Sequence, residues 1–266
     1  MKKQMKEQLF QYADKDYQTF SQALIPGGKP LIGVRLPQLR KLAKDIVRAK
    51  NVDERAILAD PEEDQYMEEI MLRGMLIGYG SSKSGDIDEA LKMLDEFVPM
   101  VDSWSVCDSC CVSFTLFQKH REQVYQHIQK YLFSNKEFEV RVGLILLLDH
   151  FLKCDEKGEK LPRRRSIECS DILGEEGHER EPEEGLYIDR ILDVLNHPYP
   201  QGYYAQMAAA WLTAECFVTF PMKTWDFLKD NQMDLFTYNK SLQKICESRI
   251  PSDEVKKLIR AKKRKA

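Results

Sequence analysis

Residues 102–108 read Asp-Ser-Trp-Ser-Val-Cys-Asp and set an indole and a carboxylate one helical turn apart. In a helix, Trp104 and Asp108 project from one face at i and i+4. The indole offers a π face to a flat, positively charged ring, and the carboxylate offers the charge that a developing cation needs. The same pair has a plainer reading. A tryptophan on a helix face commonly packs into a core, and an aspartate near a helix start commonly caps it or complements its dipole. Cys107, Cys110 and Cys111 share the segment at i, i+3 and i+4, a spacing open to a thiolate metal site or to buried thiols in a helix core. No histidine lies beside them, so no metal is expected. The five histidines are scattered and form no nucleophile–base arrangement. Phosphate loops and dinucleotide fingerprints are absent from the sequence, and no cofactor is expected.

The elements that must position these groups are helical. Of the 266 residues, 43% are hydrophobic and 31% charged, the balance of a globular chain able to bury a sizeable core. Apolar residues recur at helical spacing from Met5 to Leu24, where a single helix is expected to end at Pro26-Gly27-Gly28. The same period predicts helices over 37–49, from Asp60-Pro61-Glu62-Glu63 to about 79, from Asp86 to Phe97, and over 103–118, 121–133 and 137–152. It resumes over 186–196, 200–219, 221–230, 235–249 and 252–263. Residues 80–85 read as a loop. Segment 154–185 is charged, holds Pro162 and Pro182, and shows no sustained period. It reads as a long exposed insertion.

About a dozen short helices with no strand alternation predict an all-α fold. Paired helices of this length fit a HEAT-like helical-repeat solenoid, an α-α superhelix with a concave groove. A compact bundle is the competing all-α architecture. The expected organisation is one domain over 1–266, with the insertion at about 154–185 and a basic helix and tail at about 252–266. That tail, from Lys256 to Lys265, suits either a solvated helix end or contacts to phosphates. The net charge of −3 argues against a protein that coats nucleic acid on every side, though not against one basic face. No run is long enough to cross a bilayer. Met1-Lys2-Lys3-Gln4-Met5-Lys6 is not an apolar export signal, and seven cysteines, an odd number, fit reduced thiols. A cytoplasmic protein is expected, with no membrane partner.

Four stretches, taken in order, resemble the AlkD family of DNA alkylation repair proteins, which are HEAT-like glycosylases. They are Gly33-Val34-Arg35-Leu36-Pro37-Gln38-Leu39-Arg40, then Asp102 to Asp108, then Arg141 within Glu139-Val140-Arg141-Val142-Gly143, and Trp211 within Ala208-Ala209-Ala210-Trp211-Leu212. The resemblance implies hydrolysis of the N-glycosidic bond to a cationic N7- or N3-alkylated purine in duplex DNA, by a monomer. It implies that Asp108 stabilises an oxocarbenium-like sugar and orients the attacking water. It implies that Trp104 and Trp211 pack on the damaged nucleotide without the base being flipped, a departure from the usual extrusion. No pocket would then limit the size of the adduct.

Arg141 interrupts an apolar run and needs either an acid on a neighbouring helix or a phosphate. The resemblance favours phosphate. Arg35, Arg40, Lys41 and Lys44 are further candidates for the DNA backbone. Three features depart from the family pattern: Ser103 and Ser105 stand where a tryptophan and an aspartate are often found, Ala214 stands where an arginine can occur, and an N-terminal tyrosine of the family finds no clear match. The alternatives to an enzyme are a non-catalytic HEAT-like binder of nucleic acid and a protein scaffold.

Overall fold

In the computed structural model, residues 2–25, 27–49, 64–155, 157–162, 164–174 and 187–265 are described. Among them are fourteen α-helices and no strand, so the chain is all-α, consistent with a helical-repeat fold. It divides into two compact units, 1–127 and 128–266.

The first unit is built from α1 (Lys2–Gln11), α2 (Lys15–Ala23), α3 (Leu36–Arg48), α4 (Met67–Ser84), α5 (Ile87–Phe97) and α6 (Trp104–Cys111). The division falls within α7 (Arg121–Leu132). The single helix expected over Met5–Leu24 is two. Asp14 breaks it by capping α2: its side chain accepts from the amide of Tyr17 at 2.9 Å, while its own amide donates to Gly33 O at 3.1 Å. An Asx cap competes with a continuous helix in this way.

Helix α4 is apolar nearly all round, the pattern of a buried helix, and α3, α5 and α6 pack against it. Two glycines let them come close. A Cβ on Gly74 would collide with Phe97 and Cys110, and one on Gly78 with Ser113. The loop expected over 80–85 is instead the last turn of α4, up to the left-handed cap Gly85, φ 75°. Ser81 and Ser82 donate back to the carbonyls of Ile77 and Gly78 at 2.7 and 3.0 Å, so their hydroxyls stay inside the helix. The Asp60–Glu63 start signal lies outside the described residues. Ser103 caps α6, its hydroxyl accepting from the amide of Val106 at 3.3 Å. That helix ends at Cys111, and the rest of the predicted 103–118 element is a separate 3₁₀ segment, Thr115–Lys119.

The second unit contains α8 (Glu137–Leu147), α9 (Cys169–Leu173), α10 (Ile188–Leu195), α11 (Tyr203–Thr219), α12 (Pro221–Lys229), α13 (Leu235–Glu247) and α14 (Asp253–Ala261). Helix α11 packs against α8, α12 and α13. Part of the segment expected to be an exposed insertion is structural. Ile167 and Ile172 are buried in a core with Phe217, Trp225, Tyr238 and Ile259. Ile167 N donates to Ile250 O at 3.0 Å, and Ser252 N donates to Ile167 O at 2.9 Å. Two isoleucines five residues apart among charges leave no period to read. Residues 156, 163 and 175–185 of that segment lie outside the described residues.

The basic C-terminal segment folds back onto the same core. Lys262 Nζ stands over the Trp225 ring at 4.2 Å and the Arg264 guanidinium over the Tyr238 ring at 3.8 Å. Arg264 also exchanges two bonds with the Asn239 side chain, both 3.0 Å. Among the described residues, no helix is long and apolar enough to cross a membrane.

Candidate active site

The stretch before α3 is irregular backbone that needs buried hydrogen-bond partners, and one carboxylate supplies them. Glu68, in the first turn of α4 and 1% exposed, accepts from the amides of Ile32, Gly33 and Val34 at 2.9, 2.8 and 3.1 Å. Bonds from amides to an ionised acceptor are stronger than neutral ones. Gly33 has φ 97°, and a Cβ there would meet Asp14 O. A side chain at this position is excluded both by its φ and by this contact. A second buried carboxylate, Asp64, pairs with Arg73 of α4 at 2.7 Å.

Glu68 and the segment it holds form one wall of a cavity of about 260 Å³ within the first unit. Tyr17 and Phe20 of α2 and its C-cap Leu24 line one side, Ile25, Leu31 and Val34 follow, and Arg40 of α3 and Met71 of α4 contribute. Helix α6 closes it with Trp104, Ser105, Asp108 and Ser109. Trp104 and Asp108 are both half-buried, as their i, i+4 spacing on one helix face allows. Three predicted site residues, Trp104, Asp108 and Arg40, therefore share one cavity. Arg40 is half-buried, and its Nε is buried without a hydrogen-bond partner. A guanidinium N–H in that state is a donor held for an acceptor.

The other predicted cations behave differently. Arg35 does not line the cavity. Its Nε and Nη2 both donate to Asp14 Oδ2, at 3.0 and 2.8 Å, and its guanidinium lies 4.8 Å from the Tyr17 ring centroid. Capping by the Tyr17 amide, and then the bond from Arg35, hold the Asp14 carboxyl below its ordinary value. Lys41 and Lys44 are exposed on α3, with Lys44 Nζ 5.1 Å from the Tyr79 ring.

In the second unit, Arg141 is 5% exposed in α8, and its Nη1 donates to Tyr204 O at 2.8 Å. One partner of this guanidinium is therefore a backbone carbonyl. Trp211 is half-buried on α11 beside the fully buried Ala208, Ala209, Ala210 and Leu212. Ala214 is buried as well, which suits its small side chain.

The three thiols of α6 are buried, and Cys107 Sγ lies 4.0 Å from Cys111 Sγ. Cys110 Sγ donates to Met71 O at 3.4 Å, and burial pushes its pKa up. A protonated packing role fits both facts. Among the described residues, no cluster of three His, Cys, Asp or Glu side chains could hold a metal.

Sequence reasoning missed Tyr17, Phe20 and Glu68. Tyr17 stands in the cavity, although no N-terminal tyrosine was matched from sequence. The available signal was the helical register of Tyr17, Phe20 and Leu24. For Glu68 there was none, because its three partners lie more than thirty residues back along the chain.

Residues 5–163, more than half of the chain, match the family model described as DNA alkylation repair enzyme. The match takes in Trp104, Asp108 and Arg141 and stops before Trp211. No curated protein matches the chain.

Proposed function

The chain belongs to the DNA alkylation repair enzyme family, and on that premise we propose that it is a DNA glycosylase for cationic alkylated purines. A DNA repair role follows from the family itself; the reaction and the residue roles are our reading. Alkylation at N7 or N3 leaves the purine positively charged. When its bond to C1′ breaks, the electron pair flows into the ring and the base leaves neutral, so strong protonation by an acid is not needed. The sugar left behind is oxocarbenium-like, and water adds to C1′ and gives up a proton. Asp108 stabilises that cation and orients the water. Trp104 and Trp211 pack on the damaged nucleotide without flipping it. Arg40, Lys41 and Lys44 of α3 meet the DNA backbone, with Arg35 and Arg141 in supporting positions. The reaction calls on no cofactor, and a monomer on duplex DNA suffices.

The observation that supports this reading most is that Trp104, Asp108 and Arg40 line one open cavity, joining a π face, a carboxylate and a cationic donor. The test is release of base from duplex DNA carrying N7-methylguanine, with wild type and Asp108→Asn side by side. Release above the spontaneous rate by wild type alone is expected. No release by folded wild type would sink the proposal.

A non-catalytic binder or scaffold remains the second reading, favoured by two observations. Arg35 is bound to Asp14 and Arg141 to Tyr204 O, which commits two predicted phosphate cations internally. Duplex affinity that falls steeply with salt yet accompanies no excision would select the binder, and no duplex affinity would select the scaffold.

A further inference from the structure

We propose that Arg40 clamps one of the two phosphates flanking the damaged nucleotide and holds it beside the sugar, so that this phosphate and Asp108 face the developing cation together. This rests on the glycosylase reading above, which groups Arg40 with Lys41 and Lys44 as backbone contacts. The clamp sets Arg40 apart from those two lysines and leaves the base in its stack.

Arg40 differs from arginines whose donors are already committed. Arg35 is bound to Asp14, Arg73 to the buried Asp64, and Arg264 to the carbonyls of Asn231 and Met233 at 3.2 and 3.4 Å. The Arg40 Nε is buried without a hydrogen-bond partner. A desolvated donor in that state is costly, and an arriving acceptor removes the cost. Lys41 and Lys44 are exposed on the same helix and offer a phosphate only solvent-screened attraction.

The charge around the cavity selects the acceptor. The charged side chains lining it are Arg40, Glu68 and Asp108. Glu68 is committed to its three amides, which leaves one guanidinium and one carboxylate. Burial dominates the raised pKa of the Cys110 thiol, and within that Arg40 lowers it while Asp108 raises it. Both charges are thus within electrostatic reach of one point on α6. A damaged nucleotide brings a partner for each. Its base is positive, the charge passes to the sugar as the bond breaks, and a negative phosphate lies on either side. With sugar and phosphate between Asp108 and Arg40, the row reads carboxylate, sugar cation, phosphate, guanidinium. Every neighbour in it is opposite in sign. The Nε–Nη edge of a guanidinium matches two phosphate oxygens, and the hydroxyls of Ser21 and Ser105 line the same cavity. The buried floor of Ile25, Leu31, Val34 and Met71 provides the low-dielectric surroundings that strengthen such contacts. Arg40 touches the phosphate and not the reacting atoms, so it is a positioning residue.

The test uses the full chain in saturating excess over duplexes that carry one N7-methylguanine. Either flanking linkage is an ordinary phosphate or a neutral methylphosphonate. Each single-turnover release rate is divided by the spontaneous rate of the same duplex, so it reports the step after binding. Wild type should slow roughly 10²-fold with the methylphosphonate at one of the two linkages. Arg40→Gln should slow by a similar factor on ordinary DNA and no further on that methylphosphonate, because clamp and phosphate are one interaction. Arg40→Lys keeps the charge without the Nε donor and should stay closer to Arg40→Gln than to wild type. Melting curves check the fold, and Arg40→Lys carries the coupling comparison if Arg40→Gln does not fold. A merely structural Arg40 predicts losses that multiply. Multiplying losses, full rescue by Arg40→Lys, an Arg40→Gln rate equal to wild type, or wild-type indifference to both linkages would overturn the clamp and leave the glycosylase standing. No release from any duplex by folded wild type would overturn the glycosylase and the clamp with it.

Discussion

Charge is anchored differently around the cavity of the first unit and along the C-terminal core of the second. In the first unit two carboxylates are buried, Glu68 holding three amides and Asp64 holding Arg73, while the half-buried Asp14 holds Arg35 and the start of α2. In residues 128–266, cations lie over aromatic faces, Lys262 on Trp225 and Arg264 on Tyr238, and they close a core. The first unit carries an open cavity. Apolar packing is non-directional and closes gaps, whereas hydrogen bonds to a fixed carboxylate hold backbone at set distances. The irregular backbone of Ile32, Gly33 and Val34 beside the cavity is held in this way by Glu68.

The sharpest way to break this contrast is to remove an anchor. Arg73→Met removes the guanidinium that pairs with buried Asp64, and urea unfolding should show a loss of about 3–5 kcal/mol. A loss under 1 kcal/mol would mean that the pair holds nothing. Asp108→Asn tests the cavity's chemistry with its frame intact. Single-turnover base release should fall about 10²–10³-fold, with the melting temperature close to that of wild type. Glu68→Gln replaces an acceptor of three amides with a group that presents two donors. It should cost about 2–3 kcal/mol, and tryptophan fluorescence should report a shifted environment at Trp104. In the second unit, Arg264→Met removes one cation from one ring and should cost only about 1 kcal/mol. If it cost as much as Arg73→Met, the distinction between the units would fail.

Asp14 gives the smallest and most local effect. Its carboxyl titrates lower in the folded chain than its ordinary 3.8, so its contribution is present above that value. It is lost as pH falls through the lower folded value. Amide exchange at Tyr17 should accelerate in that acidic window before the rest of α2 exchanges. Unchanged protection of Tyr17 would remove Asp14 as the cap.

Sequence periodicity predicted most of the frame. Helix α3 was expected over 37–49 and spans Leu36–Arg48, burying Leu39, Leu42 and Ala43 of the predicted stripe. Helix α5 buries all five predicted residues, Ala90, Leu91, Met93, Leu94 and Phe97. Local signals sufficed there because a helix's own spacing selects its buried face. The failures share a cause. The break at Asp14 depends on a bond to Gly33, and the burial of Ile167 depends on Ile250 and Ser252. None of these partners can be read within a local window. Residue type singled out Trp104, Asp108 and Arg40, but their common cavity is a product of tertiary structure. Arg35 was equally basic in sequence and is spent on Asp14.

The three amides gathered by Glu68 also bear on how a ligand would bind. Because the backbone of Ile32, Gly33 and Val34 is already fixed, one wall of the cavity exists before anything enters it. Association then has no segment to order there, and the entropy loss that accompanies coupled folding is absent from this wall. The expected calorimetric signature is a negative heat-capacity change from covered apolar surface, without the large unfavourable entropy of an ordering loop. Entry into such a preformed wall is limited by encounter and orientation, not by a closing step.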